Sequence, residues 1–263
     1  GPRGGGGAGA GEAAAVEDAA VAAEAAARAA VGTAPAAAGG AEATVISLQL
    51  IGDIKVRYDA YDEQREVVMK RSRDVIKAAK NAVYALHRED YRKADTFLKQ
   101  CTKDAQEIYR DVIVLYPRLR DGFFSSCLEE FAEACVYRAF RQDRQLMSFE
   151  DLQTQSGLSF TLSISEYLGG IMDLTGEVGR WAVRSASGGR KAKPTIELCL
   201  ACVDAVYNGV QQLPSMPSNL NKKIRPLKTT LTKIEGTLYE LALLSQGISV
   251  RIDDVAAEPQ EPE

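Results

Sequence analysis

Two pairs of acidic residues have the spacing of a shared cation site. Glu130 and Glu133 lie three residues apart, and Asp173 and Glu177 lie four residues apart. On a helix, either spacing places both carboxylates within one turn of each other. Like charges repel unless a cation lies between them, and oxygen ligands suit a hard divalent ion, Mg²⁺ or alternatively Mn²⁺. Carboxylates converging from two helices would hold a metal that activates water against a phosphodiester.

The same acids also fit an ordinary solvated helix face. On a helical wheel both pairs project away from the apolar stripe of their segment, and Glu177 has Arg180 and Arg184 one and two turns further on. The spacing leaves both interpretations open. The geometric criterion that separates them is whether the four carboxylates come within reach of one cation.

A row of basic residues points to a phosphate-bearing partner. Its members recur at i, i+3, i+7 and i+10, a spacing that forms a stripe along one helix face and follows a nucleic-acid backbone. The alternative is a solvated face partly neutralised by Asp74. The stripe consists of Lys70, Arg73, Lys77 and Lys80, and a second basic cluster further along the chain contains Lys222, Lys223, Arg225 and Lys228.

Other site chemistries lack the necessary residues. A single histidine, His87, excludes a zinc site built on several histidines, and no Walker or GxGxxG pattern is present. Cys199 and Cys202 form one CxxC inside an apolar helical pattern, which favours core packing over zinc. The five scattered cysteines and the lack of a signal-peptide pattern predict reduced thiols in a cytoplasmic or nuclear protein.

The elements that must position these residues are helices. Apolar residues recur at helical spacing through the body of the chain, while aromatics make up only 7% of residues, which argues against a sandwich or barrel. No apolar run is long enough to span a membrane. We therefore predict one all-α domain of about seven helices. Their expected bounds are about 45–88, 90–116, 118–143, a short helix capped by Ser148, 164–186, 194–213 and 217–245, with Pro226 kinking the last helix or marking its start.

The charge distribution separates this domain from its tails. The whole chain of 263 residues has a formal net charge of −4. Residues 1–43 are almost entirely Gly and Ala with a few acids, and residues 253–263 carry five acids and no base. Both segments are predicted to be disordered because they cannot bury enough apolar surface. The remaining domain, 44–252, holds 30 basic and 26 acidic residues, so it is mildly basic.

Four collinear segments resemble the translin family, most closely its translin-associated factor X branch. The resemblance covers about residues 48–250 and therefore the whole predicted domain. It implies a seven-helix translin-like fold. The segments are RSRDVIKAAKNAVYALHR at 71–88, CLEEFAEA at 127–134, DLTGE at 173–177 within SEYLGGIMDLTGEVGRWAVRSAS, and LKTTLTKIEGTLYELALLSQG at 227–247.

The resemblance also implies roles for the acidic and basic residues. Translin itself lacks the acids, whereas the associated factor has them and uses them to bind Mg²⁺ and cleave RNA. Glu130 and Glu133 match the paired glutamates of that branch, and Asp173 and Glu177 match the acids of its DLTGE motif. The resemblance assigns no catalytic role to the neighbouring Glu129. The stripe from Lys70 to Lys80 matches the family's RNA-binding region.

At the level of the assembly, the resemblance implies the catalytic subunit of an endoribonuclease. The complex would be a hollow, roughly octameric hetero-oligomer with translin, present in the cytoplasm and nucleus. It would act on single-stranded or nicked RNA, in passenger-strand removal during RISC activation and in trimming tRNA-processing fragments. The alternative is a non-catalytic subunit that stabilises translin and binds single-stranded RNA or single-stranded DNA.

Overall fold

A 40-residue helix opens the part of the chain described by the computed structural model, which covers residues 48–245. Seven α-helices and no strand occur in that range, as the sequence predicts. The tails predicted to be disordered, 1–43 and 253–263, lie outside it. The helices are α1 (Leu48–His87), α2 (Tyr91–Ile108), α3 (Phe123–Asp143), α4 (Phe149–Gln155), α5 (Ile164–Ala186), α6 (Lys193–Gln211) and α7 (Ser218–Ser245).

Local sequence signals explain the starts of α4 and α5. The Ser148 hydroxyl accepts the backbone N–H of Asp151 at the start of α4, as predicted, and Ser163 forms a capping box with Glu166 at the start of α5. The last helix begins at Ser218 and continues through Pro226. Within residues 48–245 no helix has the length and apolarity needed to cross a membrane.

The connection between the second and third helices differs from the prediction. The α-helical pattern ends at Ile108 rather than Tyr116 and gives way to a π-helical turn, Tyr109–Ile113. A 3₁₀ turn starting at Pro117 follows, and α3 begins only after Gly122, whose φ of 80° favours glycine. Apolar periodicity alone cannot separate these tighter and wider turns from α-helix.

Helix α3 lies at the centre of the packing. It contacts α1 on one side and α5 on the other, while α1 also packs against α2, and α5 against α6 and α7. The buried Glu166 at the start of α5 pairs with Arg120, just before α3, at 2.7 Å between Nη2 and Oε2. This ion pair fixes the start of α5 relative to the start of α3.

Exposed apolar side chains concentrate at the start of α1. Leu50, Ile51, Ile54, Val56 and Tyr58 are each at least half exposed there. Such a cluster on one element is typical of a surface that another subunit covers.

The α3–α5 crossing depends on two consecutive glycines. A Cβ at Gly170 would lie 2.8 Å from the backbone nitrogen of Glu133 and 3.0 Å from the carbonyl oxygen of Glu129. A Cβ at Gly169 would lie 2.5 Å from Glu129 Oε2. Because the atoms facing Gly170 are mainly backbone, a side chain there would force the two helices apart. The glycine pair therefore sets the distance between the acidic residues of α3 and those of α5.

We expect Gly170→Ala to lower the free energy of unfolding by about 1–3 kcal/mol, as overpacking does at close contacts. The matched control is Gly176→Ala on the same helix, where an added Cβ meets nothing within 4 Å. There alanine should stabilise the protein by about 1 kcal/mol because it is the better helix former. Urea unfolding of both variants measures the difference. Equal effects of the two substitutions would contradict the close-contact role of Gly170.

Candidate functional site

All four predicted acidic residues line one cavity of about 650 Å³. Its walls come from α1, α3, α5 and α7. Glu130 and Glu133 reach it from α3, and Asp173 and Glu177 reach it from α5. Two helices that are separated in sequence therefore bring their acids to the same place, as the spacing suggested.

The burial of two of these acids differs from the helical-wheel prediction. Glu133 and Glu177 are only 8% and 9% exposed, so they do not lie on a solvated face. A helical wheel gives each helix one apolar stripe and therefore predicts that the opposite side is exposed to solvent. In the folded chain α3 is packed on both sides, because α5 covers the side on which Glu133 lies. A solvated-face interpretation is wrong for both residues.

A lysine from the last helix enters the acidic cluster. Lys223 Nζ donates to Asp173 Oδ2 at 2.6 Å, to Glu129 Oε2 at 2.7 Å and to the carbonyl oxygen of Gly169 at 3.3 Å. Burial lowers the pKa of Lys223, but the hydrogen bonds to Asp173 and Glu129 outweigh it, so the net pKa is raised. Lys223 is therefore a permanent cation beside the acids.

Two more of the acids have basic partners. Lys80 Nζ lies 3.2 Å from Glu130 Oε1. Glu177 is held twice, by Arg180 at 2.9 Å and by His87, whose Nε2 lies 2.6 Å from Glu177 Oε2. The predicted pair with Arg180 thus exists.

The His87 ring is fixed from its other side as well. Its Nδ1 lies 3.3 Å from the Tyr137 hydroxyl, to which Arg141 also donates at 3.3 Å. A ring held at both nitrogens keeps the Glu177 carboxylate in one orientation, as a second layer of hydrogen bonds does around metal and catalytic sites.

Glu133 is the exception, because it forms no ion pair or hydrogen bond through its carboxylate with any residue in the range 48–245. Burial raises its pKa to about 8, and the negative charges of Glu130, Asp173 and Glu177 act in the same direction. The positive charge of Lys223 acts in the opposite direction. The cavity thus keeps an excess of negative potential at Glu133 despite the surrounding cations.

The strict geometric criterion for a shared ion is not met by the side chains as they stand. Among residues 48–245, no three His, Cys, Asp or Glu side chains are arranged to hold a metal ion. Basic side chains pair with three of the four acids instead. Burial raises the pKa of both Cys199 and Cys202 to about 12, so without a metal both are neutral thiols.

The predicted basic stripe runs along the exposed face of α1 and ends at this cavity. Lys80 lines the cavity, whereas Lys70, Arg73 and Lys77 lie along the helix away from it. These three form no ion pair with any other described residue. Asp74 therefore does not neutralise the stripe through a direct contact. Arg71, which neighbours the stripe, is instead paired with Asp111 at 3.0 Å.

Sequence reasoning missed three residues of the site: Glu129, His87 and Lys223. Glu129 was adjacent to the acidic motif, and His87 was the only histidine of the chain. Lys223 belonged to a basic cluster that showed no relation to the acids. No local spacing connects Lys223 with Asp173, because their contact exists only after α7 packs against α5.

Comparison with known proteins matches this chain to one family. The model of the Translin family matches residues 63–244. The Translin-associated protein X homolog of Schizosaccharomyces pombe is 24% identical over 196 residues, covering 69% of this chain and 82% of that protein. Translin-associated protein X of Rattus norvegicus is 25% identical over 228 residues, covering 72% of this chain and 74% of that protein.

Solved structures with the same fold agree. The crystal structure of apo-NeC3PO superposes with a TM-score of 0.61 at 20% identity, covering 74% of this chain and 99% of that one. The structure of an AfC3PO–duplex RNA complex gives 0.58 at 16% identity, covering 74% and 98%. At these identities the likeness establishes the helical fold.

The raised pKa of Glu133 predicts a pH-dependent stability. Between about pH 4.5 and pH 8 the folded chain binds a proton at Glu133 that the unfolded chain has lost, so the free energy of unfolding falls as pH rises. The slope from this group approaches about 1.4 kcal/mol per pH unit at its steepest. Glu133→Gln should remove this contribution and stabilise the protein at pH 8. Urea unfolding in EDTA from pH 5 to pH 8 tests this, and the same pH dependence in both proteins would contradict it.

Proposed function

Since the chain belongs to the Translin family, we propose that it is the catalytic subunit of a translin-containing, Mg²⁺-dependent endoribonuclease that acts on single-stranded or nicked RNA. The proposal rests on one observation: the basic stripe of α1 ends at the acidic cavity. A stripe of cations on α1 leads to a cavity lined by the four carboxylates Glu130, Glu133, Asp173 and Glu177. Basic side chains bind a phosphate backbone, and a divalent cation held by the acidic side chains at the end of the path would supply the chemistry that cleaves it.

The stripe has the dimensions of an RNA path. Lys70 and Lys80 are ten residues apart on one helix, which is about 15 Å at the rise of an α-helix. The cations of the stripe bind phosphates of a strand that lies along α1. Lys80 binds the next phosphate at the entrance of the cavity. Lys80 can serve a phosphate because its present partner, Glu130, is an acid of the site itself.

The donor set fits a hard divalent cation. It consists of carboxylates, and the buried Glu133 has no basic partner among the described residues. The ion would be held by Glu130, Glu133, Asp173 and Glu177, with Lys80 and Lys223 giving up their pairs with Glu130 and Asp173. When bound, Mg²⁺ lowers the pKa of water and offsets the charge that develops on the scissile phosphate.

The residues of the chain perform the remaining tasks. Lys80 holds the phosphate against the negative cavity. His87 keeps the Glu177 carboxylate in place through its 2.6 Å hydrogen bond, and the Tyr137 hydroxyl fixes the ring from behind. The Gly169–Gly170 contact maintains the spacing between the acids of α3 and those of α5.

Assembly with translin is part of the proposal. The similar proteins of Schizosaccharomyces pombe and Rattus norvegicus are named for association with translin. The exposed apolar residues at the start of α1 offer a surface for a neighbouring subunit. We place the chain in a roughly octameric hetero-oligomer of the cytoplasm and nucleus, with RISC passenger strands and tRNA-processing fragments as substrates. The AfC3PO complex with duplex RNA supports an RNA ligand.

One observation favours a second candidate function, a non-catalytic subunit that binds single-stranded RNA or DNA and stabilises translin. Three of the four acids are paired with Lys80, Lys223 and Arg180, and no three of the described acids are arranged around one ion. In that case the acidic cavity is a structural ion-pair network. The basic stripe alone would then carry the function.

Cleavage separates the two candidates. With the chain co-purified with translin, we expect Glu130→Gln or Asp173→Asn to abolish Mg²⁺-dependent cleavage of single-stranded RNA while assembly and RNA affinity persist. Each change is nearly isosteric and removes a negative charge that the ion requires. Glu197→Gln is the control, since Glu197 is an exposed acid paired with Lys193 on α6. Cleavage at the wild-type rate by either site variant would leave only the binding subunit.

RNA binding through α1 has its own test. Arg73→Glu combined with Lys77→Glu should weaken single-stranded RNA binding and reduce the salt slope by about 0.7 for each phosphate that no longer meets a cation. The helix should persist, because neither side chain is buried. Lys103→Glu on α2 is the matched control, as it changes an exposed lysine outside the stripe. An unchanged slope of log affinity against log salt in the double variant would show that the stripe is only a solvated face.

A further inference from the structure

A second, smaller cavity adjoins the acidic one. It encloses about 300 Å³ between the end of α1 and the start of α2. Tyr84 lines both cavities and is the only residue that they share within the described range. The smaller cavity alone is lined by Asn81, Arg88, Lys93 and Phe97.

Tyr84 presents an exposed aromatic ring. Its side chain is 62% exposed, although it lies between buried residues of α1, Val83 and Ala85. Arg88 Cζ lies over the ring at 5.7 Å from its centroid, and Arg88 Nη1 is 3.5 Å from the Tyr84 hydroxyl. The ring is therefore held in position by a neighbouring cation while it remains open to a ligand. A fixed, exposed aromatic ring is the element that stacks bases in proteins that bind single strands.

Tyr84 also continues the basic stripe. At 100° per residue, positions 70, 73, 77, 80 and 84 fall within an arc of about 80° on α1. Tyr84 thus lies on the same face of the helix as Lys70 and Lys77, one turn beyond Lys80, where the stripe meets the acids. A strand that follows the stripe past Lys80 reaches this ring next.

The smaller cavity has the groups that a nucleotide requires. The Asn81 amide can both donate and accept hydrogen bonds at a base edge, and Phe97 adds apolar surface. Arg88 and Lys93 supply positive charge for a phosphate, and neither forms an ion pair with a described residue. The single carboxylate on its wall, Asp90, is already engaged as the cap of α2 through the Lys93 backbone N–H. The chemistry is that of a cationic pocket with an aromatic wall.

We propose that this cavity is a nucleotide-binding subsite in which the base next to the cleaved phosphate stacks on Tyr84. The inference rests on the proposed function, since it requires an RNA strand on the α1 stripe. Stacking on one side of the acids and phosphate contacts on the other would hold the strand on both sides of the cleaved bond. Such a site favours single-stranded RNA, because a paired base is not free to leave its partner and stack.

The test uses the complex of the full chain with translin and a single-stranded RNA oligonucleotide that carries 2-aminopurine, whose fluorescence is quenched by stacking. Tyr84→Ala should weaken binding about 5- to 150-fold, the range measured for removal of one base–aromatic stack. It should also relieve the quenching that the wild-type complex causes. Tyr84→Phe should retain both properties. The salt slope should not change in either variant, since no charge is removed.

Lys93→Gln tests the cationic side of the pocket, where we expect a salt slope smaller by about 0.7. The matched control for the aromatic ring is Tyr239→Ala, because Tyr239 is 66% exposed on α7 and lines neither cavity. Wild-type affinity and quenching in Tyr84→Ala, with normal salt-dependent binding by the parent complex, would overturn the subsite alone. Failure of the parent complex to bind the oligonucleotide would overturn both the subsite and the proposed function.

Discussion

The close approach of α3 and α5 at Gly169 and Gly170 is the constraint on which the rest of the site depends. Without a Cβ at Gly170, the backbone of α5 reaches the backbone of α3 at Glu133. That approach buries Glu133 and places it in the field of Glu130, Asp173 and Glu177. A wider crossing would let water separate the acids, and each would then behave as an ordinary surface carboxylate.

The charges around the crossing follow from this constraint. Buried like charges are costly, and the chain offsets part of the cost with Lys80 from α1 and Lys223 from α7. The offset is incomplete, because beyond the effect of burial the charges of Glu130, Asp173 and Glu177 still raise the pKa of Glu133. Because the cavity retains negative potential and the side chains of its lysines are flexible, a divalent metal ion can replace the lysine ammonium groups. The same lysines can donate to phosphate oxygens, so one network serves both an ion and an RNA backbone.

The sequence predicts the helices well because each is specified locally. The α5 bounds, the Ser148 cap and the number of helices in the described range all agree with the pattern of apolar and capping residues. Acid spacing also indicated which residues would meet. The sequence could not predict the tertiary contacts. These are the burial of Glu133 under a second helix and the contact of Lys223 with Asp173, which lies 50 residues earlier in the chain. The π turn after Ile108 escaped prediction because its apolar periodicity resembles that of α-helix.

The central claim is that the four carboxylates bind one cation once Lys80 and Lys223 release Glu130 and Asp173. Mn²⁺ affinity measured by electron paramagnetic resonance tests this claim most directly. The measurement compares the translin complex of the parent chain with Glu130→Gln, Asp173→Asn and the double variant. We expect saturable binding in the parent and a strong loss of affinity in each single variant. The two effects should not add, because both residues hold the same ion. Equal, weak Mn²⁺ binding by all four complexes would show that the four carboxylates do not form one cation site.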